Sequence, residues 1–149
     1  IEGRRVFDVF AGTGQLALEA LSRGAATALL CDNNADAIEV IKRNAKRTNL
    51  YDRCRIICAD AASLIRSLGG REQFDIIFVD PPYAAKSTGS VISSLRQHSL
   101  CAPGSVVIAE SDLREPVEIE GFKIRRHNRY GRVFITVYDF IGGQEAGEE

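Results

Sequence analysis

Two short segments carry residue types at spacings that could do chemistry. The first is Asp80-Pro81-Pro82-Tyr83, which follows the apolar run Ile76-Ile77-Phe78-Val79. Each proline locks φ and lacks an amide donor, and the residue before a proline is held extended. The result is a rigid corner that presents the Asp80 carboxylate, the Pro81 carbonyl and the Tyr83 ring. Such a corner suits the exocyclic amine of a nucleobase, whose lone pair is delocalised into the ring. Two acceptors on the amine hydrogens, Asp80 and the Pro81 carbonyl, pull the nitrogen towards tetrahedral geometry, and an aromatic ring stacks on the base. A base inside a duplex is out of reach, so the target must be flipped out or unpaired.

The second segment is Asp8-Val9-Phe10-Ala11-Gly12-Thr13-Gly14, followed 20 residues after Gly12 by Asp32. Glycines between a strand and a helix let the backbone turn tightly and approach a ligand. A carboxylate at Asp32 can accept from both hydroxyls of an adenosine ribose. Gly12-x-Gly14-x-x-Ala17 also fits the dinucleotide fingerprint, so loop and Asp32 leave NAD and S-adenosylmethionine both open. Asp8 favours the latter, because it would repel a pyrophosphate and attract an ammonium. Phe10, Ala11 and Thr13 of the loop, and Asn33 after Asp32, belong to the same candidate cofactor site.

These segments need a scaffold that brings them together, and the chain alternates strand and helix patterns. Strands are expected at 6–10, 27–31, 55–58, 74–79 and 105–110, and helices at 16–22, 35–48, 61–68 and 91–97. Pro103-Gly104 reads as a turn before the fifth strand. Two further strands, 122–130 and 132–140, are joined at Gly131. Strands separated by helices argue for a mostly parallel sheet covered on both faces, with an antiparallel edge. Residues 1–141 form one domain, led in by Ile1-Glu2-Gly3-Arg4. Residues 142–149 form a polar tail expected to be disordered.

The chain has 149 residues, 45% hydrophobic and 26% charged, an ordinary globular mix. Its apolar runs fall short of the ~20 residues that span a bilayer. The net charge is −1, but Glu145, Glu148 and Glu149 sit in the tail. Basic residues gather in the last strand pair, as Lys123, Arg125, Arg126, Arg129 and Arg132, with His127 among them. Such a cluster fits phosphate contacts. Lys42, Arg43, Lys46 and Arg47 on the second helix read as a solvated face. Cys31, Cys54, Cys58 and Cys101 lack paired spacing or a histidine cluster, so free thiols are expected and no metal site.

The two motifs resemble those of class I S-adenosylmethionine-dependent amino-methyltransferases. The run Phe10–Ala25, with Arg129-Tyr130-Gly131 before the last strand, is similar to the bacterial family that methylates N2 of guanine-966 in 16S ribosomal RNA. The resemblance covers essentially the whole chain. It implies a Rossmann-like, seven-stranded sheet with a reversed last strand. It also implies Asp32 on the ribose, Asp60-Ala61 at the adenine, and Asp80 to Tyr83 on the target amine. The partner would be ribosomal RNA or the small ribosomal subunit, and the protein a cytoplasmic monomer. That family carries basic and helical elements ahead of the first strand, which implies that a native N-terminal segment is missing here. A DNA adenine-N6 methyltransferase is the rival in the same chemistry, although such enzymes usually carry a target-recognition region. An NAD-binding oxidoreductase domain is the rival from another class, and it leaves Asp8 and the proline corner unexplained.

Overall fold

The computed structural model describes residues 1–82 and 86–142. Tyr83, and the expected disordered tail from residue 143 onward, lie outside the described residues. The elements run β1 (Arg5–Asp8), α1 (Gln15–Ser22), β2 (Thr27–Asp32), α2 (Ala35–Arg47), β3 (Cys54–Cys58), α3 (Ala61–Leu68), β4 (Phe74–Val79), α4 (Lys86–Gln97), β5 (Cys101–Ser111), β6 (Phe122–Tyr130) and β7 (Val133–Phe140). They form one seven-stranded sheet in the order β3-β2-β1-β4-β5-β7-β6. Strands β1 to β5 are parallel, and β7 is antiparallel to both β5 and β6. The chain winds outward from β1 to β3, then restarts at β4 on the other side of β1. That reversal is the switch point at which open α/β sheets bind ligands.

Alternation along the strands sends successive side chains to opposite faces. Phe7, Leu29, Ile77 and Val107 pack under α3 and α4 through Ile65, Ile92 and Leu95. Val6, Ala28 and Leu30 pack under α1 and α2 through Leu21, Ile38 and Ile41. Local signals fix the helices that flank the site. Asn34 caps α2, its Oδ1 accepting from the Asp36 and Ala37 amides at 2.8 and 3.1 Å. Asp36 sits in the first turn of α2 and Lys46 and Arg47 in its last, each complementing the helix dipole.

Strand β1 ends at Asp8 rather than Phe10, which leaves Val9 and Phe10 to the glycine loop, and two other boundaries depart further from the sequence expectation. Helix α4 begins at Lys86 rather than Val91, because its first turns are rich in Ser, Thr and Gly, weak helix formers that give no apolar period. Its Thr88 is nonetheless buried. Strand β5 begins at Cys101, not Ser105. Cys101 pairs with Phe74 and Val106 with Ile76, so Pro103 and Gly104 are accommodated in an irregularity within the strand. Gly104, at φ 76°, makes that departure from the ladder feasible.

Candidate active site

The glycine loop leaves the end of β1 and is pinned by backbone bonds. The Val9 amide donates to the Phe78 carbonyl at 3.1 Å, and the Ala11 amide to the Cys31 carbonyl at 2.8 Å. Gly12 and Gly14 both have positive φ, 60° and 83°. At Gly14 a β-carbon would meet Ile41 and Leu30 side chains at 3.3 Å, so this glycine lets α1 pack closely. At Gly12 a β-carbon would meet nothing within 4 Å, so the backbone is open to an approaching group. Asn44 of α2 donates from Nδ2 to the Thr13 carbonyl at 3.0 Å and ties the loop to that helix.

Beside the loop lies a cavity of about 820 Å³. Of the residues singled out from sequence, Phe10, Gly12, Asp32, Asn33, Asp60, Ala61, Asp80 and Pro82 line it. Asp32 ends β2 and is half-buried. Its Oδ2 accepts from the Gly12 amide and its Oδ1 from the Asn34 amide, both at 3.0 Å. Each oxygen keeps acceptor capacity for a further donor. Asp60 caps α3, its Oδ2 accepting from the Ser63 amide at 3.1 Å.

The remaining expected residues do not form the wall. Ala11 is buried in the core under α1 and α2. Thr13 lines a separate cleft between α1 and α2. Pro81 is half-buried and does not line the cavity. Asp8 is buried beneath the loop, 1% exposed, rather than at its entrance. Neither Asp8 oxygen has a partner of normal hydrogen-bond geometry, and the nearby Phe10 and Ala17 amides offset only part of the cost. Burial first, and then the Asp80 charge, push its carboxyl up to about 7. Burial, followed by a hydrogen bond with Glu110, likewise pushes Asp80 up to about 7.

Sequence reasoning missed the α2 wall of the cavity, made by Asn34, Asp36, Ala37 and Val40. The capping signal Asn34-x-Asp36 was available to find it.

The β6–β7 hairpin also resolves into two parts. Ser111 at the end of β5 pairs with Phe134, so the turn from Tyr130 to Val133 lies at the same end of the sheet as the cavity. Arg126, Arg129, Tyr130 and Arg132 are exposed on this half. Arg129 donates from Nε to the Gly131 carbonyl at 2.9 Å, which closes the turn. Lys123 and Arg125 lie at the far end, where Arg125 forms an ion pair with Asp139. His127 is held by the Thr136 hydroxyl and the Arg114 carbonyl, at 2.7 and 2.9 Å, and stacks on Phe134. Its ring is part of the fold.

All four cysteines are free. Among the described residues no group of His, Cys, Asp and Glu could hold a metal, and no helix is long and apolar enough to cross a membrane.

The chain is similar to proteins whose names bear on this geometry. It is 31% identical over 134 residues to the ribosomal RNA small subunit methyltransferase D of Escherichia coli K12, covering 88% of this chain and 66% of that protein. A solved structure of a conserved hypothetical protein from Streptococcus pyogenes is 35% identical, with a TM-score of 0.87, over 95% of this chain and 89% of the other. TrmN from Thermus thermophilus, 24% identical, shares the fold at a TM-score of 0.72, over 93% of this chain and 44% of that one. The sheet order with its reversed β7, together with these neighbours, is the Rossmann-like class I methyltransferase fold. The model of the family described as Conserved hypothetical protein 95 matches residues 1–139, and the chain belongs to that family.

Proposed function

We propose that this chain transfers a methyl group from S-adenosylmethionine to the N2 amine of a guanine in small-subunit ribosomal RNA. The observation that carries the reading is one cavity that joins the open Gly12 backbone, the Asp32 carboxylate and the Asp80–Pro82 corner. The residues present fit the cofactor. Asp32 keeps lone pairs for the ribose hydroxyls, Asp60-Ala61 edge the adenine, and Gly12 admits close approach. A dinucleotide would set a pyrophosphate over Asp8, a carboxylate without a hydrogen-bonded partner, whereas an ammonium there is stabilised. When bound, the cofactor supplies an electrophilic methyl on a sulfonium.

Asp80 and the Pro81 carbonyl hold the amine hydrogens and turn the nitrogen lone pair towards that methyl. Alignment of this kind supplies much of the rate. Tyr83 is assigned the face of the base. Arg126, Arg129 and Arg132 meet phosphates flanking the target, because the hairpin tip lies at the same end of the sheet as the cavity. The name of the Escherichia coli relative supports a small-subunit substrate.

The test is methyl transfer from labelled cofactor to small-subunit particles, naked ribosomal RNA and duplex DNA, with nucleoside analysis of the product. N2-methylguanosine from the ribosomal substrate, abolished by Asp80→Ala, is the expected result. Equal labelling of adenine in DNA, or calorimetric binding of NAD alone, overturns it.

A further inference from the structure

Glu110 lies near the end of β5, and nothing in the sequence motifs marks it. The parallel register of β4 and β5 pairs Val79 with Ala109, so the next residues in each strand, Asp80 and Glu110, lie side by side. Phe78 and Ile108 are register partners two residues earlier, so Asp80 and Glu110 share the face that Asp8 also occupies. The two carboxyl groups lie close enough to share a hydrogen bond. Both residues are half-buried. A hydrogen bond between two carboxyl groups requires one proton between them.

The surroundings favour such sharing. From β1 the facing group is Asp8, a third carboxyl, and from β2 beyond it Asp32. On β7 the partner of Glu110 is Ile135, and on β6 the partner of Ile135 is Asn128, flanked by Arg126 and Tyr130. Among the described residues none of Asp8, Asp32, Asp80 and Glu110 takes part in an ion pair. Like charges side by side resist ionising together, so a proton taken up by Asp80 is held between the two carboxyls in place of a counter-ion.

We infer that Glu110 is the positioning partner of Asp80: it faces one Asp80 oxygen, leaves the other to the amine, and shares with Asp80 the proton that transfer releases. This rests on the methyl-transfer reading above. As the amine lone pair forms the new N–C bond, the methyl–sulfur bond returns its electron pair to sulfur, and the nitrogen becomes cationic. Asp80 takes the N–H proton and then shares it with Glu110. The pair goes from no proton to one, from two negative charges to a single one, and the proton then leaves to water. A lone Asp80 carboxylate, ordinarily acidic, would be a poorer acceptor for it.

The experiment compares wild type, Glu110→Gln and Glu110→Asp in single turnover with saturating substrates between about pH 5.5 and 9. Glu110→Gln is expected to lower the transfer rate by ~10-fold or more and to move the acid limb of the profile down by about one pH unit. Cofactor affinity by calorimetry and melting temperature should stay within about twofold and about 2 °C of wild type, and Glu110→Asp should restore part of the rate and the limb. An unmoved acid limb in Glu110→Gln overturns the inference, as does a rate loss matched by a loss of melting temperature that Glu110→Asp does not rescue. A second readout needs no activity. In the free protein, carbon NMR of the carboxyls should show an Asp80 titration near neutral pH that falls in Glu110→Gln. If wild type methylates neither RNA nor DNA but that titration behaves so, the functional reading fails while the carboxyl pair stands.

Discussion

At the N-terminal ends of the parallel strands, Glu72 lies between Arg5 and Arg55, at 2.9 and 2.8 Å. The Arg5 amide donates to Asp75, and Arg53 reaches the Leu21, Ala25 and Ala26 carbonyls. At the C-terminal ends, Asp8, Asp32, Asp80 and Glu110 gather with no ion pair to any of them among the described residues. The same fold thus satisfies its charges at one end and leaves them uncompensated at the other. The pKa directions follow. The Arg55 hydrogen bond holds Glu72 below its usual range, while burial raises Asp8 and Asp80. Clustered carboxyls without partners are costly to a fold, and such perturbed groups concentrate at functional sites. The uncompensated end is also where the glycine loop, the cavity and the hairpin tip meet.

The sharpest way to break this contrast is to remove the charge that does chemistry. Asp80→Ala is expected to cut methyl transfer by ~10³-fold or more in single turnover, with an unchanged far-ultraviolet circular dichroism spectrum.

Asp8→Asn comes next, and its sign is unusual for an aspartate. The folded carboxyl titrates near 7 and the unfolded one near 3.8, so the native state holds the proton longer and loses stability as pH rises between those values. Removing the charge should therefore raise the melting temperature at pH 8 by roughly 5 °C, on the order of 2 kcal/mol, and do nothing at pH 4. Affinity for S-adenosylmethionine by calorimetry should fall in the same variant.

At the hairpin, Arg132→Ala should weaken RNA binding by a few-fold and lower the slope of log affinity against log salt by about one, as one lost phosphate contact requires. Lys123→Ala, at the far end, should leave that slope unchanged.

The smallest effect belongs to the compensated end. Glu72→Gln should cost at most about 1 kcal/mol at pH 7, because Arg5 and Arg55 are about half exposed. This loss runs opposite to that of Asp8. It is present above the unfolded carboxyl range and vanishes as acid protonates Glu72. The transfer rate should not change.

Much of this was legible in the chain itself. Near-continuous apolar runs at β2 and β4 announce a sheet buried on both faces, and Gly12, Gly14 and Asp80-Pro81-Pro82 mark its functional end through backbone constraints that few other residues satisfy. What stayed hidden was set by register or by tertiary packing. Glu110 stands 30 residues beyond Asp80, and only the β4–β5 alignment makes them neighbours. Asp8 reads as a ligand at the loop entrance, yet the loop folds over it and buries it. The start of α4 was concealed by polar residues and Gly89, and the start of β5 by Pro103-Gly104, whose turn signal is real but is absorbed inside the strand. The polar run of β6 was recognisable as a strand only as one arm of a hairpin.

The placement of β7 between β5 and β6 also governs how the chain is made. During synthesis β6 leaves the ribosome before the strand that joins it to the sheet, and among the sheet neighbours only β7 offers it a ladder. Strand β5 emerges earlier still and keeps an open edge until β7 arrives. The two arms must therefore close on each other and dock together, a late step of high sequence separation for β5. Until then the edge of β5, beside the Asp80–Glu110 pair, presents an unpaired ladder open to wrong pairing.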